Sequence, residues 1–235
     1  MKKVSLLMQA NLHRTAMGIA CASLLATVVL PMAANGARQR PTLLFREDWK
    51  QIPAAIPVTQ DHVTHSELVL SRHGPDADSI KKSHHDNIED DPWYIWSGSC
   101  QKGRWALSLR MRHSLVDLSS GAHIRWRTRQ SGGHVLKIVL ELEDGTWLVS
   151  DKGFGETPDW WVFDVDLKVF RWHRLSIQSI KAGPLVKEPD LSRVRSVGWT
   201  DLMVGGSSKA CTRVDWIEVY GRAVRSDSRR EPATQ

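Results

Sequence analysis

The chain has 235 residues, 41% hydrophobic and 25% charged, with 32 Lys+Arg against 26 Asp+Glu and a formal net charge of +6. At a mean hydropathy of −0.33 this composition excludes both a disordered chain and a polytopic membrane protein, and the length suits one medium domain or two small ones. Eleven Trp against four Phe and two Tyr invert the usual aromatic order.

The chain opens with Lys2, Lys3 and Arg14, followed by an uncharged apolar stretch over 15–34 and the small residues Ala33, Ala34, Gly36 and Ala37. Residues 1–37 therefore read as a signal peptide, which predicts export to the periplasm or the extracellular space. An uncleaved anchor shares the apolar run, but Pro31 and the small residues favour cleavage near 34–37, which leaves no membrane span. Cys21 makes a poor lipoprotein site, because Gly18-Ile19-Ala20 lacks the usual Leu. Residues 1–37 hold three positive charges and no acid; the tail 222–235 holds four Arg against Asp227 and Glu231. The body, 38–221, is left with +1, so the pI of 9.4 belongs mostly to the two ends. Nucleic acid is not an expected partner. The tail is expected to be disordered.

From residue 43 onward the apolar pattern has period two. Trp105, Leu107, Leu109 and Met111 alternate with Ala106, Ser108 and Arg110. Ile124, Trp126 and Thr128 alternate with Arg125, Arg127 and Arg129, and Leu136, Ile138, Leu140 and Leu142 with Lys137, Val139 and Glu141. Each run predicts a strand with one buried and one wet face, and Trp105 and Trp126 take the inward parity. Glu143-Asp144-Gly145-Thr146 predicts a hairpin turn before Trp147-Leu148-Val149. Further strands are predicted over 43–48, 67–71, 94–97, 161–165, 174–180, 197–203 and 213–220, with one helical turn over 189–194. About ten short strands in some 180 residues argue for an all-β, two-sheet β-sandwich.

In an oxidising compartment, Cys100 and Cys211 are most simply one disulfide; closing that loop would remove about 4–5 kcal/mol of denatured-state entropy. The alternative is two buried free thiols.

The segment Arg213-Val214-Asp215-Trp216-Ile217-Glu218-Val219-Tyr220-Gly221, with Val197-Gly198-Trp199-Thr200-Asp201-Leu202-Met203 before it, resembles the closing strands of galactose-binding-like jelly rolls, a fold of many bacterial carbohydrate-binding modules. The resemblance covers about 25 residues and implies a jelly-roll sandwich; it raises the expectation of glycan binding without establishing it. Similar jelly rolls often hold a structural calcium near the termini. By parity with Ile217 and Val219, Asp215 is expected to point toward the core side, where a buried carboxylate needs compensation. Asp48 or Glu47 in the first strand could then join Asp215 around the cation. Backbone N–H groups or Arg213 could serve Asp215 instead.

The densest polar segment runs from Lys81 to Tyr94 through His84, His85, Asp86, Glu89, Asp90 and Asp91. His84 or His85 could act as a general base oriented by Asp86, and Trp93, Tyr94 and Trp96 beside them could stack on sugar rings; the alternative is a solvated acidic loop. A cationic face of Arg110, Arg112, Arg125, Arg127 and Arg129 could grip an acidic polysaccharide, or its arginines could be spent on Glu141, Glu143, Asp164 and Asp166 across the sheet. Two readings follow. The first is a non-catalytic module that recognises a polysaccharide or oligosaccharide through Trp93, Tyr94, Trp96 and neighbouring Arg125 and Arg127. The second is a polysaccharide lyase or glycoside hydrolase on the same fold, using His84, His85 and arginine. No Gly-x-Ser-x-Gly, phosphate-binding glycine loop or His-Glu-x-x-His occurs.

Overall fold

A computed structural model describes residues 41–225; residues 1–40, with the expected signal peptide at 1–37, and residues 226–235 of the expected tail lie outside the described residues. The strands in chain order are β1 (Thr42–Glu47), β2 (Leu68–His73), β3 (Lys81–Ser83), β4 (Tyr94–Trp96), β5 (Ala106–Met111), β6 (Ser114–Asp117) and β7 (His123–Ser131). They continue with β8 (Lys137–Leu142), β9 (Trp147–Ser150), β10 (Trp161–Asp166), β11 (Trp172–Ser176), β12 (Lys181–Val186), β13 (Val194–Thr200) and β14 (Cys211–Arg225). Helix is confined to three short 3₁₀ turns among the described residues.

All strand pairings are antiparallel and fall into two sheets. The front sheet runs β10-β7-β14, with β1 and β4 both on the far side of β14 and β3 beside β4. The back sheet runs β2-β5-β13-β8-β9-β11-β12. This is the all-β sandwich that the period-two pattern predicts. β14 belongs to both sheets: residues 211–220 pair with β7, and Arg222–Arg225 pair with β6. The crossing is made at Gly221, where a Cβ would stand 2.7 Å from the Asp117 carbonyl oxygen. A side chain there would push β6 away. The strand thus continues four residues past the domain end expected at 221.

The inner faces supply one core. Ile124, Trp126, Ile217 and Val219 of the front sheet meet Leu107, Leu109, Ile138, Leu140 and Trp199 of the back. Trp105 and Trp126 are both buried, as their parity predicts. Trp49 and Trp199 pack edge to face at 6.1 Å, and the Trp49 indole N–H donates to the Val214 carbonyl, so the ring is buried without stranding its donor. The β8–β9 hairpin forms as predicted, with Gly145 at φ 84, a conformation that favours glycine, and Asp144 accepting the Thr146 N–H at 2.8 Å.

Some local readings are revised, and three strands, β3, β6 and β12, are additional to those predicted. Residues 177–180 are a turn rather than strand, and they fold with Trp147 and Leu202 over Ala106, Val139, Val149 and Leu175, roofing part of the back sheet's outer side. That second cluster explains why Ala106 and Val139 are buried although their parity is outward. The chain beyond this turn makes β12, an exposed edge strand that tolerates Pro184 because its N–H side need not pair. Residues 189–193 form a turn in which Asp190 accepts the Ser192 N–H, which replaces the helical turn. β3 and β6 carry too few apolar residues in alternation to announce themselves.

Candidate functional site

The front sheet's outer face carries the densest half-exposed mixture of aromatic and charged side chains. On β7, His123, Arg125, Arg127 and Arg129 stand outward between buried Ile124, Trp126, Thr128 and Gln130. The register sets Tyr220 opposite His123, Glu218 opposite Arg125 and Trp216 opposite Arg127, while Arg46 of β1 lies on the other side of Glu218. Directly opposed residues share a face, so this one ladder collects Arg46, Arg125, Arg127, Trp216, Glu218 and Tyr220.

Its contacts are specific. The Tyr220 ring stacks on His123 at 4.1 Å and 12°, and its hydroxyl donates to Glu218 at 3.0 Å. Glu218, 6% exposed, also takes Arg46 at 2.5 Å and Arg125 at 3.7 Å. The Arg46 and Arg125 guanidiniums lie 4.3 and 5.6 Å from the Trp216 ring centroid, a cation–π arrangement. Arg46 also holds Asp48 at 2.6 Å, and first Asp48, then Glu218, raise the pKa of its guanidinium. Burial raises the Tyr220 hydroxyl pKa, and the Glu218 carboxylate adds to the effect.

Asp215 belongs to this face and not to the core side. A β-bulge between Val214 and Trp216 inserts one residue and re-aims the carboxylate, which meets Arg127 at 2.8 Å. Burial raises the Asp215 pKa, with Arg127 opposing. Parity failed here because alternation cannot count through a bulge.

The histidine-rich segment joins the same face at its edge. β3 stops at Ser83, so His84 and His85 lie off the strand and both turn toward Asp91: Nδ1 of His85 is 3.0 Å and Nδ1 of His84 3.9 Å from Oδ2 of Asp91. Asp86 does lie 3.2 Å from Nε2 of His84, but with its side chain 98% exposed it is a weak orienting group. His84 stacks on Trp93 at 3.9 Å, whose ring also receives the buried Lys82 ammonium at 3.3 Å. Tyr94 is 4% exposed, lies 3.4 Å from Nδ1 of His85 and packs against Trp160 at 5.3 Å; Arg127 in turn lies 5.5 Å from the Trp160 ring. Tyr94 is therefore buried between His85 and Trp160, not a stacking platform. Trp96 is half-buried, its indole N–H directed at Cys211, and Trp93 packs against the core. Of the three aromatics singled out from sequence only Tyr94 is buried; Trp93 and Trp96 are half-buried, as are Trp160, Trp216 and Tyr220, and Trp161 is 58% exposed. The outward parity of Trp216, Glu218 and Tyr220 was readable from their alternation with Ile217 and Val219; nothing in the spacing marks Asp91 or Arg46.

The five-arginine face is split by the fold. Arg110 is on β5 of the back sheet, opposite Ser196, while Arg125, Arg127 and Arg129 remain together in front. The acids at Glu141 and Glu143 pair with Arg195 and Arg193 instead.

The oxygens expected around calcium are spent elsewhere. Asp48 and Asp215 are each held by an arginine, and Glu47, fully buried, accepts the N–H groups of Trp49, Thr64 and His65 at 2.7–2.9 Å. Among the described residues no group of three or more His, Cys, Asp or Glu could hold a metal ion, so these positions do not fit the cation. The expected disulfide is also absent: Cys100 and Cys211 are both buried free thiols. Each sulfur has its own local partner, the Asp76 carbonyl at 3.8 Å for Cys100 and the Trp96 indole at 3.1 Å for Cys211. Burial raises the Cys100 thiol pKa strongly, which suppresses the reactive thiolate.

No family model matches this chain, and no curated protein matches it. Solved structures do. The family 11 carbohydrate-binding module of the cellulosomal cellulase Lic26A-Cel5E of Clostridium thermocellum is 12% identical over 77% of this chain and 95% of its own, with a TM-score of 0.38. A family 11 module from the same organism in complex with a β-1,3-1,4-mixed-linked tetrasaccharide is 11% identical over the same shares, at 0.40. The Emp47p carbohydrate recognition domain is 9% identical over 74% of this chain and 97% of its own, at 0.32. At such identities and scores neither a ligand nor a residue role carries over, and the two-sheet assignment rests on this chain's own strand pairing.

Proposed function

We propose that the protein is an exported glycan-binding module that takes its ligand on the outer face of the front sheet. The observation that supports this most directly is the ladder of half-exposed Trp216 and Tyr220, and Trp160 beside it, interleaved with Arg46, Arg125, Arg127, Asp215 and Glu218. A saccharide presents alternating apolar C–H patches and hydroxyls. Aromatic edges and faces match the first, and planar guanidinium and carboxylate groups match the second. Because the platform extends along β7 and β14, it suits a chain of sugar units better than a single ring, successive outward residues on a strand being roughly 7 Å apart. Export through residues 1–37 would bring the module to such polymers.

The test is retention in native gels cast with polysaccharides, followed by assays for new reducing or unsaturated ends. Retention without new ends is the expected result. Trp216→Ala and Tyr220→Ala should each weaken binding by about tenfold, the scale of one lost stacking contact. New ends that vanish in His85→Ala would favour the lyase or hydrolase reading, which draws on the His85–Asp91 contact. Unchanged retention in both aromatic variants would remove this face from consideration.

A further inference from the structure

We infer that the front face is built for an uncharged, hydroxyl-rich polysaccharide and excludes uronates and sulfated polymers. This deepens the glycan-binding reading and rests on it. Three arginines dominate the centre of the face, and each already has a carboxylate: Arg46 with Asp48 and Glu218, Arg125 with Glu218, Arg127 with Asp215. Three cations thus face three anions. Glu218 and Asp215 are 6% and 7% exposed; packed at the base of the ladder, they cannot swing aside to vacate the guanidiniums. An incoming carboxylate or sulfate would meet a neutralised arginine with a fixed negative group close behind it, an unfavourable juxtaposition. Asp164, 59% exposed beside His123, adds negative charge at the rim.

A hydroxyl meets no such obstacle. A guanidinium has five N–H donors and a carboxylate about four lone-pair positions, so an ion pair leaves donors and acceptors unspent on both partners. Arg125, held only at 3.7 Å, is the least committed. Each arginine–carboxylate pair therefore offers a donor and an acceptor side by side, the combination a sugar hydroxyl uses. Charge compensation, which weakens the case for anion binding, is what fits the face to neutral hydroxyls.

The experiment compares the full chain against neutral polymers (a mixed-linked β-glucan, a galactan, a mannan) and acidic ones (polygalacturonate, a sulfated galactan) at low and high salt. Retention by at least one neutral polymer, unchanged by salt, is expected. Preference for an acidic polymer at low salt, lost at high salt, overturns this inference while leaving glycan binding intact; failure to bind any polymer overturns both. The charge argument has its own readout. Glu218→Gln with Asp215→Asn should gain about tenfold in low-salt affinity for the acidic polymers, the scale of one near-surface ion pair. A folded double variant that remains blind to them overturns it, with Asp215→Asn alone as the check if the double variant does not fold.

Discussion

Glu47 shows how a single buried carboxylate can organise a chain end. It ends β1 fully buried, and its two oxygens satisfy the N–H groups of Trp49, Thr64 and His65. Trp49 sits at φ 60, a conformation that costs a non-glycine residue about 1–3 kcal/mol and persists only when its surroundings hold it. Glu47 supplies that hold. Replacing it by Ala orphans three donors in a buried site and should destabilise the protein by about 3 kcal/mol, read as a lower midpoint in urea unfolding. Glu47→Gln should lose less, because one amide oxygen still accepts. From the sequence Glu47 was a candidate calcium ligand; its acidity and position at the strand end were legible, but not the backbone loop it captures, because that loop is brought to it by the turn over 59–65.

At the level of elements, β14 decides most of the architecture. It lines the centre of the front sheet, carries the bulge that turns Asp215 onto Arg127, then crosses to pair with β6. Its last segment is anchored by Arg222, whose guanidinium holds Asp117 at 2.5 Å. Truncation after Gly221 removes that pair and the ladder to β6, and leaves buried Leu115 and Val116 short of cover. We expect a loss of about 2–4 kcal/mol relative to the full chain, measured by thermal or denaturant unfolding. Unchanged stability would mean that the crossing contributes nothing. The compositional break at Arg222 explains why sequence places the domain end too early: a strand that finishes at a sheet edge can be as rich in arginine as a tail. The front-sheet alternation on β7 was legible for the opposite reason, since Ile124 and Trp126 alternating with Arg125, Arg127 and Arg129 leave no ambiguity of register.

Across the whole molecule, pH response should follow the groups whose protonation differs between folded and unfolded states. Burial lowers the His73 pKa to about 4, against about 6.5 in an unfolded chain, so the unfolded state binds the extra proton first. Stability is then full above about 6.5 and falls as pH drops toward 4. Burial works against the charge of Asp76, but hydrogen bonds from Ser79 and from the Lys102 and Gly103 N–H groups outweigh it and hold the pKa below the usual range. Its stabilisation is present above the unfolded carboxylate value and is lost as pH falls through the folded one. Thermal unfolding followed from pH 7 to 3 should show a decline in both windows, and His73→Gln should shrink the upper one without touching the lower, the remainder being carried by His62, whose pKa burial also lowers.

By itself, the sequence determined the all-β class, the core tryptophans at 105 and 126, the Asp-Gly hairpin and the near-neutral body, because alternation, turn chemistry and charge are local properties that survive any arrangement of the strands. Tertiary structure alone decided which arginines share a sheet, which indoles stay half-exposed and where Asp215, Asp91 and the two thiols find partners. Those outcomes depend on strand order, on one inserted residue in β14, on the loop that folds Asp91 back onto His85 six positions earlier, and on contacts between distant segments such as Trp96 and Cys211, 115 positions apart.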